Sequence, residues 1–334
     1  MVPRVTSFTA ILAMLLLAAP LAVEAQPAKT LPRVAVLYPG SPVPGSPVQQ
    51  DELAAAFVQG MRDNGYVDGK DFALDVRYVG TRLHELDRII TELLPLRPDV
   101  IVTVGSQGAW AAKRATSTIP IVMAVVADPV GQGLVTSLPR PGGNLTGNAI
   151  LTEEVIVKRL ELVREVLPRA RRIGVLQNPS NPMYGILWNR LESAAKQLGL
   201  TLLRFDAVSA TAVDTALDEV ARQRPDALMV GQDSIFYLTR SKIVQSMSRQ
   251  GVPAIYAFKE AVAKGGLMSY ANSSEAMFRR AAMFVSRILK GARPSDLPVE
   301  QATTFELVIN LKTAKALGLA IPPSLLLRAD QVVE

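Results

Sequence analysis

The sequence predicts an α/β fold of two similar lobes, each a doubly wound parallel sheet, joined by a hinge that the chain crosses several times. Three observations support this prediction. Short, continuous apolar runs alternate with helical patterns, as in parallel sheets whose two faces are covered by helices. The same strand-like segments occur twice in the same order. The chain has 334 residues, 49% of them hydrophobic, and is long enough for about two domains.

The similarity within each pair of segments is weak, and the repeat is informative only because three pairs occur in the same order. Any one of its segments is typical of a buried strand, but three pairs in the same order and at similar separations indicate two copies of one architecture. The pairs are residues 33–37 (RVAVL) with 172–176 (RIGVL), 97–105 (RPDVIVTVG) with 224–231 (RPDALMVG), and 119–125 (IPIVMAV) with 252–258 (VPAIYAF).

Amphipathic helices are predicted between these strands because apolar residues recur there at helical spacing. Most of these patterns end at a glycine, which suits a left-handed helix C-terminus, or before a proline. In chain order the apolar patterns are Leu53/Phe57/Met61, residues 86–94, residues 109–115, Leu187/Leu191/Ala195 and Val213/Leu217/Val220.

The chain is expected to cross between the lobes three times. A strand over residues 144–150 leads out of the first lobe, a strand over 266–270 returns to it, and residues 298–310 form the third crossing. Such a hinge suits opening and closure around a ligand. The predicted boundaries are residues 1–25 for a cleaved signal peptide, 32–149 plus 267–297 for the first lobe, and 150–266 plus 298–334 for the second.

The N-terminal segment predicts export. Arg4 precedes an apolar run over residues 11–22, and small residues lead to a cleavage site after Ala25. The alternative, a membrane anchor, is disfavoured because the apolar run is shorter than the roughly 20 residues that span a bilayer. The sequence contains no cysteine, so we expect a periplasmic protein that is not a lipoprotein and has no disulfides.

Composition disfavours several classes of function. The formal net charge is +6, but the Lys and Arg residues are interleaved with acids, so no nucleic-acid partner is expected. With no cysteine and one histidine, His84, which we expect at the surface, zinc sites and thiol catalysis are disfavoured. No dinucleotide fingerprint, phosphate loop or Gly-x-Ser-x-Gly motif occurs. We therefore expect no enzyme, no cofactor and no metal, although a carboxylate-based hydrolase stays open.

Candidate ligand-binding residues follow the predicted strands, because open parallel sheets bind ligands beyond the carboxyl ends of their strands. Loops from the two lobes would then line one cleft between them. The candidates are Ser41, Gly105, Ser106, Gln107, Asp128, Asn178, Asp233 and Tyr256.

The residue types suggest particular contacts. Ser106 stands where a helix begins, so it can help to hold an anion or can be an ordinary serine N-cap. Asp128 and Asp233 can pair with a ligand ammonium, but Asp128 can instead cap a turn toward Gly131. Asn178 can supply hydrogen bonds or belong to a rigid turn. Aromatic residues near these loops can stack on a flat ligand or pack in the core; they are Tyr184, Trp188, Phe236, Tyr237, Tyr256 and Phe258.

Several longer blocks resemble the ABC transporter substrate-binding family that includes tryptophan/tyrosine-type receptors, and the similarity covers about residues 32–334. The blocks are RVAVLYPG (33–40), RDNGYVDGK (62–70), STIPIVMA (117–124), DPVG (128–131), RPGGNLTG (140–147) and FELVINLKTAKALGL (305–319). The resemblance implies a type I periplasmic-binding fold and a receptor that delivers its solute to a membrane permease with an ATPase. For the solute it suggests an aromatic or branched amino acid or a related carboxylate.

Three hypotheses for the function follow. The leading one is a solute-binding receptor of an ABC importer that closes on a zwitterion or carboxylate. The second is a periplasmic sensor that presents its closed form to a membrane kinase. The third is a periplasmic hydrolase.

Overall fold

The computed structural model describes residues 31–38, 52–80 and 83–334, with Leu83 described by its backbone alone. Residues 32–334 belong to one unit that holds both sheets. The predicted signal peptide, residues 1–25, and the candidate Ser41 lie outside the described residues.

The first lobe is built on a parallel sheet to which residues 33–150 contribute five strands within the described chain. Short 3₁₀ turns at Leu83–Glu85 and Leu94–Leu96 flank one of its helices. The elements are β1 (Arg33–Tyr38), α1 (Glu52–Asp63), β2 (Ala73–Tyr78), α2 (Leu86–Leu93), β3 (Val100–Val104), α3 (Gly105–Ala115), β4 (Ile121–Ala127) and β5 (Leu145–Ile150).

The second lobe begins directly after β5 and repeats the alternation of helix and strand. Its strands form a separate sheet. The elements are α4 (Thr152–Val166), β6 (Arg172–Gln177), α5 (Tyr184–Leu198), β7 (Thr201–Asp206), α6 (Ala210–Gln223), β8 (Ala227–Val230), α7 (Ser234–Leu238), α8 (Arg240–Gln250), β9 (Ala254–Tyr256), α9 (Lys259–Val262) and β10 (Met268–Asn272).

The C-terminal segment contributes to both lobes. A helix packs back on the first lobe, a two-residue strand joins its sheet, and the remaining elements join the second lobe. These elements are α10 (Ser274–Leu289), a 3₁₀ turn (Pro294–Asp296), β11 (Glu300–Gln301), β12 (Phe305–Asn310), α11 (Leu311–Ala316), α12 (Pro323–Leu326) and β13 (Gln331–Val333).

The strand orders confirm the predicted duplication. The first sheet runs β11-β5-β4-β3-β1-β2, and the second runs β13-β12-β10-β9-β8-β6-β7. The order 2-1-3-4-5 of the first lobe therefore recurs as 7-6-8-9-10 in the second. All pairs are parallel except β10 with β12, which is antiparallel.

Helices cover both faces of each sheet, which explains the continuous apolar runs in the strands. In β1 the side chains of Val34 and Val36 pack under α1 and α10, and those of Ala35 and Leu37 pack under α2 and α3. The second sheet lies between α4 and α5 on one face and α6 and α8 on the other. The predicted doubly wound architecture is thereby confirmed.

The lobe assignments differ from the prediction at two strands: β10 belongs to the second sheet, and β11, which lies in the range 298–334 predicted for the second lobe, belongs to the first. Within residues 83–334 the chain leaves the first sheet after β5, returns to that lobe with α10 and leaves it again after β11. The prediction that residues 266–270 return to the first lobe is wrong, because β10 pairs with β9 and β12 of the second sheet. The apolar run of β10 suits either sheet equally, so its pattern could not assign it to one lobe.

The two copies of the Arg-Pro-Asp motif form the same local structure. In the first lobe Asp99 Oδ2 accepts the N–H of Arg33 at 2.7 Å, and in the second Asp226 Oδ2 accepts the N–H of Arg172 at 2.8 Å. Each aspartate therefore satisfies a backbone donor at the first residue of the neighbouring strand. This shared contact explains why the motif recurs at matching positions.

Asp226→Asn should lower stability in a pH-dependent manner. The N–H groups of Arg171 and Arg172 hold the pKa of Asp226 below its usual value. A carboxylate with a lowered folded-state pKa stabilises the fold above its unfolded pKa, near 3.9, and loses that contribution as the pH falls through the folded pKa. Because the side chain is exposed, we expect a loss of only about 0.5–1 kcal/mol at pH 7.

Urea unfolding at pH 7 and at pH 3 measures this effect. The deficit of Asp226→Asn should shrink at the lower pH. The control is Asp218→Asn on α6, an exposed aspartate whose side chain makes no hydrogen bond among the described residues. Equal deficits at both pH values would contradict the assignment.

Candidate functional site

The lobes meet at the point in each sheet where the strand order reverses. This point lies between β1 and β3 in the first lobe and between β6 and β8 in the second. Open parallel sheets bind ligands in this crevice. A cavity of about 90 Å³ lies there, lined by the segments that follow β3, β6 and β8, and we call it the cleft cavity.

Asp233, which follows β8, connects the two lobes across the cleft. Its Oδ2 accepts hydrogen bonds from Gln107 Nε2 of the first lobe at 3.1 Å and from Asn181 Nδ2 of the second lobe at 2.8 Å. Its Oδ1 accepts the N–H of Ile235 at 3.0 Å and thereby caps α7. A carboxylate offers about four acceptor positions, so these three bonds leave one for a ligand. Asp233 is 8% exposed, which strengthens such a bond.

Ser106 lies at the start of α3 and lines the cleft cavity, as do Gly105 and Gln107. The interpretation of Ser106 as the N-cap is wrong, because the helix begins at Gly105 and its N-cap is Val104. Ser106 Oγ instead accepts a hydrogen bond from Gln132 Nε2 at 2.9 Å. The first turn of α3 therefore lines the cavity and has no side-chain cap.

Apolar side chains from both lobes form most of the remaining wall. Tyr237 and Phe258 of the second lobe pack edge to face, with ring centroids 5.6 Å apart. Phe278 on α10 and Leu53 on α1 complete the wall from the first lobe. An apolar pocket with a few placed polar groups is typical of a small-molecule site.

Asp128 does not line the cleft cavity. Its Oδ1 accepts the N–H of Gly131 at 2.9 Å, so the alternative interpretation, a turn cap, is confirmed. The side chain borders a different cavity, together with Arg190 and Gln301. The carboxylate of Asp128 is therefore occupied in its own turn, and ligand contact by Asp128 stays a prediction.

Asn178 is buried in the turn that follows β6. Its Oδ1 accepts hydrogen bonds from Ser180 N at 3.0 Å and from Ser180 Oγ at 2.7 Å. It does not line the cleft cavity but lines a smaller chamber behind it. The second amide of this turn, on Asn181, reaches the cleft cavity and holds Asp233.

Tyr256, predicted as a ligand-binding residue, does not belong to the cleft cavity. Its side chain is 1% exposed and packs in the core beneath α6 and α8, and it does not line the cleft cavity. Burial raises its pKa. Tyr256 is the last residue of β9, and the residues that line the cavity are the next two, Ala257 and Phe258, which follow the strand.

In the part of the chain that the structure describes, no group of three or more His, Cys, Asp or Glu side chains could hold a metal ion. His84 has a side chain that is 79% exposed, which confirms its predicted surface position. None of the helices described is long and apolar enough to cross a membrane.

Sequence reasoning missed several residues of the cleft. Gln132 lies in the loop after β4, and Phe278 arrives on α10 from the C-terminal part of the chain. Thr152 begins α4 and lines both the cleft cavity and the chamber behind it. Asn181 is the second asparagine of the turn over residues 178–182 (NPSNP), and the repeated Asn-Pro pair is the one sequence signal that could have indicated it.

Two doubly wound lobes facing each other across a small, mostly apolar cavity define the class of two-lobed solute-binding proteins. The chain belongs to the family of ABC transporter substrate-binding proteins, whose pattern matches residues 47–333. It is 28% identical over 269 residues to a tyrosine-binding protein of Clostridioides difficile, a match that covers 80% of this chain and 77% of that protein.

Solved structures agree with this assignment. A conserved domain protein from Vibrio cholerae is 28% identical with a TM-score of 0.82, covering 91% of this chain and all of the other. An ABC domain from Streptococcus pneumoniae in complex with L-Trp is 25% identical with a TM-score of 0.80 and the same coverage. The predicted family and type I periplasmic-binding fold are confirmed.

Proposed function

We propose that the protein is an exported receptor of an ABC importer and binds an aromatic amino acid in the cleft cavity. The observation that carries the proposal is Asp233, a buried carboxylate that joins both lobes, lines a cavity walled by aromatic and aliphatic side chains, and keeps one acceptor position beyond its three hydrogen bonds. The binding of tyrosine and of L-Trp by two relatives supports this choice of solute.

Each part of such a solute has a counterpart in the wall. An ammonium group would pair with Asp233, because charge-assisted hydrogen bonds in a dehydrated site are strong. An aromatic ring would pack edge to face against Tyr237 and Phe258, which adds about 0.5–1.5 kcal/mol beyond the area buried. The polar groups fix the orientation, and the apolar wall supplies most of the burial.

Closure of the lobes is the event that the permease would recognise. The hydrogen bond from Gln107 to Asp233 forms only when the lobes approach, and Gly105 lies close to Ser234 of the other lobe. A solute held between the lobes stabilises this arrangement by its greater affinity for it. Export to the periplasm and delivery to a permease with an ATPase are parts of the proposal that rest on the N-terminal pattern and the family.

L-Tyrosine or L-tryptophan should raise the melting temperature of the mature protein. At about 100 times the Kd, a ligand that binds only the folded state adds about 2.7 kcal/mol. For a chain of this size we expect an increase of about 3–5 °C. Differential scanning fluorimetry with L-Tyr, L-Trp, L-Leu and L-Lys measures it, and L-Lys provides the control. A folded protein that neither L-Tyr nor L-Trp stabilises would contradict the proposal.

A further inference from the structure

A second, smaller chamber lies behind the cleft cavity in the second lobe. Its volume is about 20 Å³, somewhat more than the roughly 10–15 Å³ that one water requires. The two cavities share part of their walls, including Thr152, Asn181 and Asp233. A solute in the cleft cavity is therefore next to the chamber.

The chamber wall carries buried hydrogen-bond donors that have no partner in the protein. Among the described residues they are Arg159 Nη2, Thr152 Oγ1, Gln177 Nε2 and Asn178 Nδ2; Gln177 Oε1 also has none. All four residues are at least nine-tenths buried. Buried polar groups are nearly always hydrogen-bonded, so four neighbouring donors without acceptors point to an acceptor-rich partner.

Arg159 is the strongest of these donors. It is 1% exposed, and its Nε donates to the carbonyl oxygen of Tyr270 at 2.7 Å. No carboxylate forms an ion pair with it among the described residues, and Asp233 is the only acidic residue that lines the chamber. The three bonds that Asp233 accepts come from other groups. A buried, unpaired cation is costly, so an anionic partner would be strongly favoured.

We propose that this chamber is the carboxylate subsite of the receptor, in which Arg159, Thr152, Gln177 and Asn178 hold the carboxylate of the solute. The inference rests on the proposed function for the identity of the rest of the solute. It places the carboxylate in the second lobe rather than at the start of α3, where Ser106 lies.

The arrangement suits an α-amino acid because the two charges of the solute meet opposite charges in adjacent places. The guanidinium of Arg159 faces the carboxylate, and Asp233, which lies in the wall between the two cavities, faces the ammonium. Burial lowers the pKa of Arg159 to about 9, so the side chain is protonated at pH 7. A neutral water could satisfy single donors but would leave the charge of Arg159 uncompensated.

Comparison of L-tyrosine with tyramine, its analogue without the carboxylate, tests the proposal. Isothermal titration of the native protein should give a Kd for L-tyrosine about 30-fold lower than for tyramine, because a hydrogen-bonded charge contributes about 1.5–3 kcal/mol. In Arg159→Met the ratio should fall to nearly 1. The control Arg164→Met removes an arginine of the same helix that does not line the chamber and whose Nη1 donates to the carbonyl oxygen of Ala170 at 2.9 Å, and it should keep the native ratio. A native ratio in Arg159→Met would overturn the proposal.

A second measurement separates this inference from the choice of solute. Formate, which is small enough for the chamber, should shift the Nε–H resonance of Arg159 in protein labelled with ¹⁵N-arginine, and the Gln177→Leu variant should weaken that response. If tyrosine binds but formate and tyrosine both leave this resonance unchanged, ordered water alone fills the chamber, and the carboxylate subsite is wrong. If formate shifts it but no amino acid binds, the carboxylate site stands and the proposed solute is wrong.

Discussion

Gly147→Ala should lower the free energy of unfolding by about 3–5 kcal/mol. Gly147 lies in β5 at a φ of +129°, in a region that L side chains rarely adopt, and such strain costs on the order of 1–3 kcal/mol. An added Cβ would lie 2.2 Å from the carbonyl oxygen of Met123 and 2.6 Å from its amide nitrogen on the neighbouring β4. Because backbone cannot rotate away as a side chain can, β4 and β5 would have to separate, at a further cost of about 1–3 kcal/mol.

Guanidinium chloride unfolding of the ligand-free protein measures the loss. The control is Gly143→Ala in the turn before β5, where an added Cβ meets nothing within 4 Å, and its effect should be within about 0.5 kcal/mol. A loss of less than about 1 kcal/mol in Gly147→Ala would show that β4 and β5 do not approach as closely as described. Gly147, the last glycine of RPGGNLTG, is therefore explained by its close contact with the backbone of β4 rather than by ligand binding.

The fold could be predicted from the sequence because its determinants are local. Alternating apolar runs and amphipathic stripes fixed the α/β class, and the Arg-Pro-Asp motifs marked equivalent strands through contacts with their nearest neighbours. The sequence did not predict as well which strands of the C-terminal part join which sheet. An apolar strand such as β10 is compatible with either sheet, and only its pairing with β9 and β12 assigns it.

The cleft could be predicted only where its residues directly follow strands. Ser106 and Asp233 satisfied that rule and line the cavity. Asp128 also follows a strand, but its carboxylate accepts the N–H of Gly131 within its own turn, and the conformation of the loop determines this contact. Tyr256 showed that a shift of one residue at a strand end moves a side chain from cavity to core.

The chamber around Arg159 was inaccessible to sequence reasoning for a different reason. An arginine within an amphipathic helix is normally solvent-exposed, and nothing in its neighbours along the chain indicates burial. Its position follows from the packing of α4 against β10, whose Tyr270 carbonyl accepts from Nε. The donors that surround it come from α4, from β6 and from the turn after β6, so only the assembled lobe brings them together.

Asp233→Asn should weaken binding of an aromatic amino acid about 100-fold while leaving the fold intact. Asparagine is as good an N-cap as aspartate, so α7 should keep its first turn. The variant loses the negative charge that would pair with the ammonium, and an amide offers only one acceptor atom to the donors Gln107 and Asn181. Loss of a charge-assisted contact in a buried site is worth about 1.5–3 kcal/mol, and the disrupted link between the lobes adds to it.

Isothermal titration of Asp233→Asn with L-tyrosine, beside Gln107→Ala, separates the two contributions. Gln107→Ala removes the hydrogen bond between the lobes but keeps the carboxylate, so its loss should be smaller, about 5- to 10-fold, as for a single hydrogen bond worth about 1 kcal/mol. Equal losses in both variants would mean that Asp233 acts only as a link between the lobes. Unchanged affinity in Asp233→Asn, with an unchanged melting temperature of the free protein, would remove Asp233 from the site.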